Sequence, residues 1–354
     1  MSLAAGYDLV IFDLDGVVYV GTEPVAGAPE AVRATVDGGT PVAYVTNNAS
    51  RRAGEVAELL VSIGVPARAE EVLTSARAAA ELLAADLPPA SPVLVVGAPA
   101  LREEIAAVGL RLVDDPGDRP AAVVQGYGPD VGWAHLADAT LAIRAGARWV
   151  ATNTDVTLPS PRGPLPGNGS LVAAVSAALG GRRPDTVVGK PEPALFELAA
   201  RHAGARRALV VGDRLDTDID GARRAGMDAL LVLTGVTGAV EVLRAGAHER
   251  PTHIAADCSA LSTPDEISRV PAWQDGQAAA GTWRVTYDDR RLVLATREPE
   301  AEEGDPIAAV RTLAAGAWAH PEWTGVGPDD AVAERALAAL ELDRFGSWPV
   351  SATH

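Results

Sequence analysis

Short runs of β-branched and aliphatic residues alternate with alanine-rich stretches over most of the chain. The runs predict strands, and the stretches, whose apolar positions recur every three or four residues, predict helices. This alternation is typical of an α/β fold with a parallel sheet. The predicted strands are 9–12, 42–45, 93–96, 121–124, 148–151, 208–211, 229–233 and 253–255, and the clearest helices are 28–37, 53–63 and 194–203.

Two changes in this pattern divide the chain into three predicted domains. Hinge-like segments rich in proline and glycine flank a self-contained αβ unit, which predicts a core over 1–82 and 185–262 and an inserted cap over 83–184. After Pro271 the alternation stops, and five of the seven tryptophans follow. We expect a small α+β domain over 272–354, with a hairpin over 283–296 and helices over 306–318 and 330–344.

Charge and cysteine content narrow the classes of protein that remain. The chain has 354 residues and a formal net charge of −17, which disfavours nucleic acid and anionic membrane surfaces as partners. Its single cysteine, Cys258, permits no internal disulfide. No apolar run has the length of a signal peptide core or a membrane span, so a cytoplasmic location is expected.

Polar side chains follow the first two core strands, at the edge where open α/β sheets bind their ligands. Asp13 and Asp15 end the first strand two positions apart, so both carboxylates are expected on one side, and Gly16 permits a sharp turn. Thr46, Asn47 and Asn48 follow the second strand and lead into a helix N-terminus, which favours anion binding. We expect Ser50 to cap that helix.

Two later strands add a cation and more carboxylates. Lys190 precedes the helix 194–203 and is the only lysine among 30 basic residues, which indicates a need for a compact ammonium. Asp213 ends a strand and is followed by Asp216, Asp218 and Asp220; we expect Asp220 to lie on a solvated face and leave Asp216 open. Together these groups offer hard oxygen ligands for Mg²⁺ and donors for a phosphoryl group, as phosphoryl transfer through an aspartyl-phosphate requires.

The order DxD, TNN, GKP and GDxxxTD resembles the haloacid dehalogenase (HAD) superfamily over about residues 7–260. The interval of about 140 residues between Thr46 and Lys190 is similar to the subgroup with a large αβ cap, which includes nitrophenyl phosphatase-like, NagD-like, phosphoglycolate and pyridoxal phosphate phosphatases. The resemblance implies a Rossmann-like core and Mg²⁺-dependent hydrolysis of a phosphomonoester. The tail resembles that of actinobacterial glycerol 3-phosphate phosphatases, which carry a degenerate acetyltransferase-like domain.

Residue by residue, the resemblance implies that Asp13 is the nucleophile and that Asp15 is the general acid and base. It implies that the Asp15 ligand to Mg²⁺ is the main-chain carbonyl and that Asp218 lies near the ion. For the cap residues, turn formation is the alternative role. The implied sets are Thr46, Asn47, Asn48 and Lys190 for the phosphate, Asn153, Asp155 and Asn168 for the leaving group, and Asp13, Asp15, Asp213 and Asp218 for Mg²⁺.

A cap excludes bulk water and selects small substrates, so we expect a small phosphorylated metabolite. Glycerol 3-phosphate is the leading substrate by resemblance; phosphoglycolate, pyridoxal phosphate and sugar phosphates stay open, and a homodimer through the cap is expected. The tail lacks an acyl-CoA pyrophosphate loop because Gly316 is misplaced in 311–316, which favours a structural or modulatory role. Outside the enzymes, the alternatives are a phosphoacceptor receiver domain and a Mg²⁺-binding scaffold.

Overall fold

The computed structural model describes residues 1–158, 162–298 and 303–343. Its strands are β1 (Leu9–Asp13), β2 (Tyr19–Val20), β3 (Glu23–Pro24), β4 (Val42–Thr46), β5 (Val72–Thr74), β6 (Pro92–Val96), β7 (Arg111–Val113), β8 (Ala122–Gln125), β9 (Arg148–Ala151), β10 (Thr157–Leu158), β11 (Leu165–Pro166), β12 (Thr186–Val187), β13 (Ala208–Gly212), β14 (Asp228–Val232), β15 (His253–Ala255), β16 (Gln277–Ala280), β17 (Trp283–Asp288), β18 (Arg291–Thr296) and β19 (Gly325–Pro328). Its α-helices are α1 (Ala28–Asp37), α2 (Ala53–Ser62), α3 (Ser75–Asp86), α4 (Pro99–Ala107), α5 (Trp133–Arg144), α6 (Asn168–Ala178), α7 (Ala194–Ala203), α8 (Asp220–Arg224), α9 (Ala239–Arg244), α10 (Asp265–Ser268), α11 (Pro306–Ala319) and α12 (Ala331–Ala339).

Strands β13, β14 and β15 carry three of the predicted core strands, and β4, which pairs with β5, carries another. The pairings of β13 with β14, β14 with β15 and β4 with β5 are parallel, as the α/β pattern predicted. Every residue of β1, β4 and β13 is buried. Strands buried on both faces have continuous apolar runs rather than alternating ones, which explains why these segments stand out in the sequence.

The chain folds into two compact units, which divide within β1. The first unit comprises 1–10, 15–41 and 207–354, and the second comprises 11–14 and 42–206. The second unit contains a five-stranded parallel sheet with the order β12-β9-β8-β6-β7. Its core centres on Trp149, which is fully buried on β9 and donates its indole N–H to Gln125 Oε1 at 3.1 Å.

The first unit contains the aromatic-rich tail as a four-stranded sheet, β16-β17-β18-β19, with α11 and α12. The predicted hairpin is confirmed: β17 pairs antiparallel with β18 across Asp289 and Arg290, which both have positive φ, as tight two-residue hairpin loops require. The predicted helix over 306–318 is confirmed as α11. The predicted helix over 330–344 is α12, and Arg344 and Trp348 lie outside the described residues.

Helix α11 joins the tail to the strands of the same unit. The buried Arg311 donates to the carbonyl of Ile254 on β15 at 2.9 Å, and Trp318 donates its indole N–H to the carbonyl of Val242 on α9 at 2.9 Å. These bonds satisfy polar groups that would otherwise be costly to bury. Among the described residues, no helix is both long enough and apolar enough to cross a membrane.

Candidate active site

The end of β1 places two carboxylates in different surroundings. Asp13 is the last residue of the strand and is buried, whereas Asp15 lies beyond the strand and is exposed. The expectation that both carboxylates lie on one side stays a prediction. Gly16 has a φ of +85°, its N–H donates to Tyr19 O at 2.8 Å, and its carbonyl accepts from Thr234 Oγ1 at 2.6 Å. This confirms the sharp turn that the glycine predicted.

Lys190 meets Asp13 in a buried ion pair. Its Nζ donates to Asp13 Oδ1 at 2.5 Å, and the two side chains are only 4% and 11% exposed. Burying either charge alone would cost several kcal/mol, so each stabilises the other in this position. The contact accounts for the single lysine of the chain, because a compact ammonium fits where the wider arginine fork would not.

The loop after β13 presents Asp213 and is held in place by Asp218. Asp218 Oδ2 accepts from the backbone N–H groups of Asp213 and Arg214, at 3.3 and 3.1 Å. Asp213 Oδ2 accepts from the N–H of Val236 at 2.8 Å. Both aspartates are almost completely buried, so backbone donors rather than water fix the direction of the Asp213 carboxylate.

The other two acidic residues of this loop pair with arginines. Asp216 bonds to Arg214 at 2.8 Å on the surface, and Asp220 forms two bonds with Arg224 one turn further along α8, at 3.0 and 2.7 Å. The prediction that Asp220 lies on a solvated face is wrong, because the residue is buried. Neither belongs to the carboxylate cluster described next.

Two buried carboxylates after β13 have the donor chemistry of a Mg²⁺ site. One oxygen of Asp213 lies within 4.8 Å of one oxygen of Asp218. Carboxylate oxygens are the ligands that Mg²⁺ prefers, and a cation would offset the repulsion of neighbouring negative charges. Glycines leave room for this arrangement: a Cβ on Gly16 would lie 2.5 Å from Asp213 Oδ2, and one on Gly235 would lie closer still. The residues present fit a bound Mg²⁺.

The loop after β4 leads into helix α2, whose N-cap residue differs from the predicted one. Thr46 is buried and its Oγ1 accepts from the N–H of Asn48 at 3.1 Å. Ser50 bonds to Asn48 Oδ1 through both its N–H and its hydroxyl, at 2.8 and 2.7 Å. Helix α2 starts only at Ala53, with Arg52 as its N-cap residue, so the prediction that Ser50 caps it is wrong: Asn48 forms a local turn that takes up the serine.

Comparisons with known proteins agree with the motifs. The family described as haloacid dehalogenase-like hydrolase matches residues 10–111, and a second description, HAD-hydrolase-like, matches 187–261. D-glycerol 3-phosphate phosphatase of Mycobacterium tuberculosis is 45% identical over 352 residues, which cover 96% of this chain and 95% of that protein. This chain belongs to the haloacid dehalogenase-like hydrolases.

This HAD hydrolase is also similar to another named protein and to solved structures. Chronophin of Rattus norvegicus is 41% identical over 69% of this chain and 83% of its own length. The solved structure of the mycobacterial glycerol phosphate phosphatase in complex with magnesium has a TM-score of 0.88 at 43% identity and covers 96% of this chain and 99% of that one. A p-nitrophenyl phosphatase from Archaeoglobus fulgidus has a TM-score of 0.67 at 30% identity, covering 72% and 98%. Residues 280–342 match a GCN5-related N-acetyltransferase-like domain, as the resemblance of the tail implied.

Of the three cap residues predicted to contact the leaving group, Asn153 and Asn168 are buried and hydrogen-bonded to each other, and Asp155 is partly buried. Asn168 is 1% exposed and its Nδ2 donates to the carbonyls of Asn153 and Gln125, at 2.7 and 3.2 Å. Asn153 is 5% exposed, and its Oδ1 accepts from the N–H of Asp155 at 3.2 Å. Asn153 thus forms a turn, which was the alternative role. The contacts of Asn153, Asp155 and Asn168 with a leaving group stay predictions.

One part of the site was missed at the sequence level. The segment after β14 supplies Thr234, which donates to Gly16 O, and Val236, whose N–H donates to Asp213. Gly235 between them packs against the Asp213 carboxylate. The available signal was the position of this segment, which follows a buried parallel strand as the other site segments do.

Proposed function

We propose that this protein hydrolyses a small phosphomonoester, with glycerol 3-phosphate as its principal substrate, by transferring the phosphoryl group to Asp13. The observation that carries the proposal is the buried ion pair between Lys190 Nζ and Asp13 Oδ1 at 2.5 Å. A buried carboxylate with a matched cation is held ionised, which a nucleophile requires.

In the first half of the reaction, a carboxylate oxygen of Asp13 attacks the phosphorus and the bond to the alcohol oxygen breaks. Asp15 gives its proton to the departing alcohol. Thr46, the backbone of Asn47 and Lys190 bind the phosphoryl oxygens and stabilise the charge that they carry in the transition state. The exposure of Asp15 allows it to exchange protons with solvent between steps.

In the second half, Asp15 takes a proton from a water molecule, which attacks the phosphorus and releases inorganic phosphate and the free Asp13 carboxylate. Asp13, the Asp15 carbonyl and Asp213 would hold Mg²⁺, with Asp218 fixing the loop that carries Asp213. When bound, the ion neutralises charge on the phosphoryl oxygens and orients them for in-line attack.

The proposed substrate rests on the relative that spans nearly the whole chain, which is named D-glycerol 3-phosphate phosphatase. Other relatives bear other names: 5′-nucleotidase in Bacillus subtilis, 40% identical over 72% of this chain, and acid sugar phosphatase in Staphylococcus saprophyticus, 38% identical over 67%. Nucleoside monophosphates and sugar phosphates are therefore the competing substrates.

Phosphate release from a panel of these esters tests the proposal. We expect turnover that requires Mg²⁺, with the highest kcat/KM for glycerol 3-phosphate, and none in Asp13→Asn, which keeps the shape of the side chain but loses the nucleophile. Another ester in first place would change the substrate and keep the reaction class. Mg²⁺ binding with slow phosphorylation and no multiple turnover would instead favour the receiver or scaffold alternative.

Four further expectations belong with this proposal. The division into core, cap and tail predicts that a chain ending before 272 would still hydrolyse a phosphomonoester. The tail is expected to be non-catalytic, and calorimetric detection of acetyl-CoA binding would contradict that. Homodimer formation through the cap is checked by the sedimentation of the purified protein, and the cytoplasmic location by fractionation of cells.

A further inference from the structure

The carboxamide of Asn47 pairs with the peptide group of Lys190 at two points. Lys190 N–H donates to Asn47 Oδ1 at 2.8 Å, and Asn47 Nδ2 donates to the carbonyl of Lys190 at 3.0 Å. The two residues are 143 positions apart in sequence. Two bonds from one planar amide fix both the position and the orientation of the peptide that carries the lysine side chain.

Other residues of the same unit hold Asn47 in turn. Its Nδ2 also donates to Asp155 Oδ2 at 3.1 Å. Its carbonyl accepts from Asn153 Nδ2 at 2.8 Å and from Ser75 Oγ at 2.7 Å. Asn47 Oδ1 accepts from the Lys190 N–H, and Nδ2 donates to two acceptors in the protein. The carboxamide therefore makes three hydrogen bonds before any substrate arrives.

Gly189 permits this close pairing. A Cβ at this position would lie 2.7 Å from Asn47 Oδ1, 2.6 Å from the carbonyl of Thr152 and 2.9 Å from Asn153 Cβ, all closer than ordinary van der Waals contact. Any larger residue would push Asn47 or the segment containing Asn153 away from Lys190. The glycine before the lysine therefore has a packing reason that is independent of the hydrogen bonds.

We propose that Asn47 is a positioning residue, whose side chain holds the Lys190 peptide so that the ammonium reaches Asp13. Asn153 and Asp155 hold Asn47 in turn, so the position of Lys190 also depends on the segment that contains these two residues. The lysine ammonium lies at the end of a flexible four-carbon chain. A fixed backbone therefore limits the positions that the ammonium can reach. The catalytic consequence rests on the proposed phosphatase function; the structural pairing does not.

The single lysine allows a direct measurement of this pairing. Full-length protein in which only lysine carries ¹⁵N gives one backbone amide signal, from Lys190. We expect this amide to exchange with solvent about tenfold faster in Asn47→Ala, since the hydrogen bond from the Lys190 N–H to Asn47 Oδ1 is lost. Ser50→Ala is the matched control: it removes a hydroxyl from the same loop that bonds to Asn48 and not to Lys190.

Kinetics separate positioning from a purely structural role. We expect Asn47→Ala to lower kcat for glycerol 3-phosphate by about 100-fold with a smaller change in KM, because misplacing a catalytic group by about 1 Å costs that much. Gly189→Ala should have the same two effects as Asn47→Ala, which are faster exchange of the Lys190 amide and a lower kcat. Asn47→Asp keeps the acceptor for the Lys190 N–H but sets a carboxylate oxygen against Asp155 Oδ2 and the Lys190 carbonyl, so its exchange should also be faster than in the wild type.

The outcomes distinguish this inference from the proposed function. Unchanged amide exchange in folded Asn47→Ala overturns the pairing, and faster exchange with an unchanged kcat overturns the positioning role. If Asn47→Ala does not fold, the same two measurements on Asn47→Asp decide. If wild-type protein hydrolyses no ester while the amide still responds, the proposed function fails and the pairing stands.

Discussion

Lys190 and Asp13 are two opposite charges that are nearly closed off from water. In Lys190→Met, the Asp13 carboxylate loses the cation that balances its charge and, in the proposed reaction, the charge of the phosphate. We expect kcat to fall by about 100- to 1,000-fold, as when a preorganised charge donor is removed. Steady-state phosphate release measures this change.

Lys190→Arg is the matched variant, because it keeps the positive charge and alters only its shape. We expect most of the loss to persist, since the guanidinium does not fit a site where the ammonium is 4% exposed. Near-wild-type activity in Lys190→Arg would show that the charge alone matters and would contradict the geometric account.

Gly16 offers a second test at the scale of single residues. Its φ is +85° and an added Cβ would lie 2.5 Å from Asp213 Oδ2, so Gly16→Ala should displace a carboxylate of the proposed Mg²⁺ site. We expect Mg²⁺ affinity to weaken by about tenfold or more, as for other changes that shift a metal ligand through its neighbours. Titration calorimetry measures this affinity.

Gly21→Ala controls for backbone strain. Gly21 has a φ of +66°, but nothing lies within 4 Å of its Cβ position. Both variants carry the cost of a side chain at positive φ, about 1 kcal/mol, and only Gly16→Ala meets Asp213. Equal Mg²⁺ affinities in the two variants would contradict the role given to Gly16.

At the scale of elements, β15 and α10 are joined by a buried histidine. His253 is fully buried, and burial lowers the pKa of its imidazole. Its Nε2 bonds to Asp265 Oδ1 at 2.9 Å. The hydrogen bond from the Arg269 guanidinium lowers the pKa of Asp265 to about 2.

Both shifts make the fold less stable in acid. In the unfolded chain His253 takes up a proton below about pH 6.5, whereas in the folded protein it resists protonation, so stability falls as pH drops through that value. Asp265 adds a second loss from about pH 4 towards pH 2, where the folded carboxylate is still ionised and the unfolded one is not.

We expect Tm to fall between about pH 7 and pH 5 in the wild type and to fall less in His253→Gln, which keeps an amide donor but does not titrate. Thermal unfolding followed by circular dichroism measures both slopes. His248→Gln, which changes an exposed histidine, should behave as the wild type does. Equal slopes in wild type and His253→Gln would refute this explanation.

For the molecule as a whole, the sequence was most informative where a strand is buried on both faces. The β1, β4 and β13 strands read as unbroken apolar runs, and helices 28–37 and 194–203 have the predicted bounds. Two or three residues are too few to show a period, so of the short strands β5, β7, β12 and β15 only β15 was predicted. Such strands are defined by their neighbours in the sheet.

Site residues could be predicted as a set, because parallel strands bring their carboxyl ends to one edge. The contacts among them could not. The spacing of Asn47 and Lys190 does not indicate that the side-chain amide of one pairs with the peptide group of the other. The sequence near Asp218 does not indicate that its carboxylate accepts from the backbone N–H of Asp213. Capping by Ser50 failed for the same reason, since Asn48 was a competing acceptor that only the three-dimensional structure reveals.

Chemical trapping detects the proposed transfer of a phosphoryl group to Asp13. Wild-type protein and Asp15→Asn, in which hydrolysis of the intermediate should be slowed, are mixed with glycerol 3-phosphate and Mg²⁺, quenched, and treated with borohydride. Borohydride reduces an acyl phosphate and converts the modified aspartate to homoserine. We predict homoserine at position 13 and at no other aspartate in the peptide mass spectrum. Turnover by the wild type with an unmodified position 13 in both proteins would contradict the account.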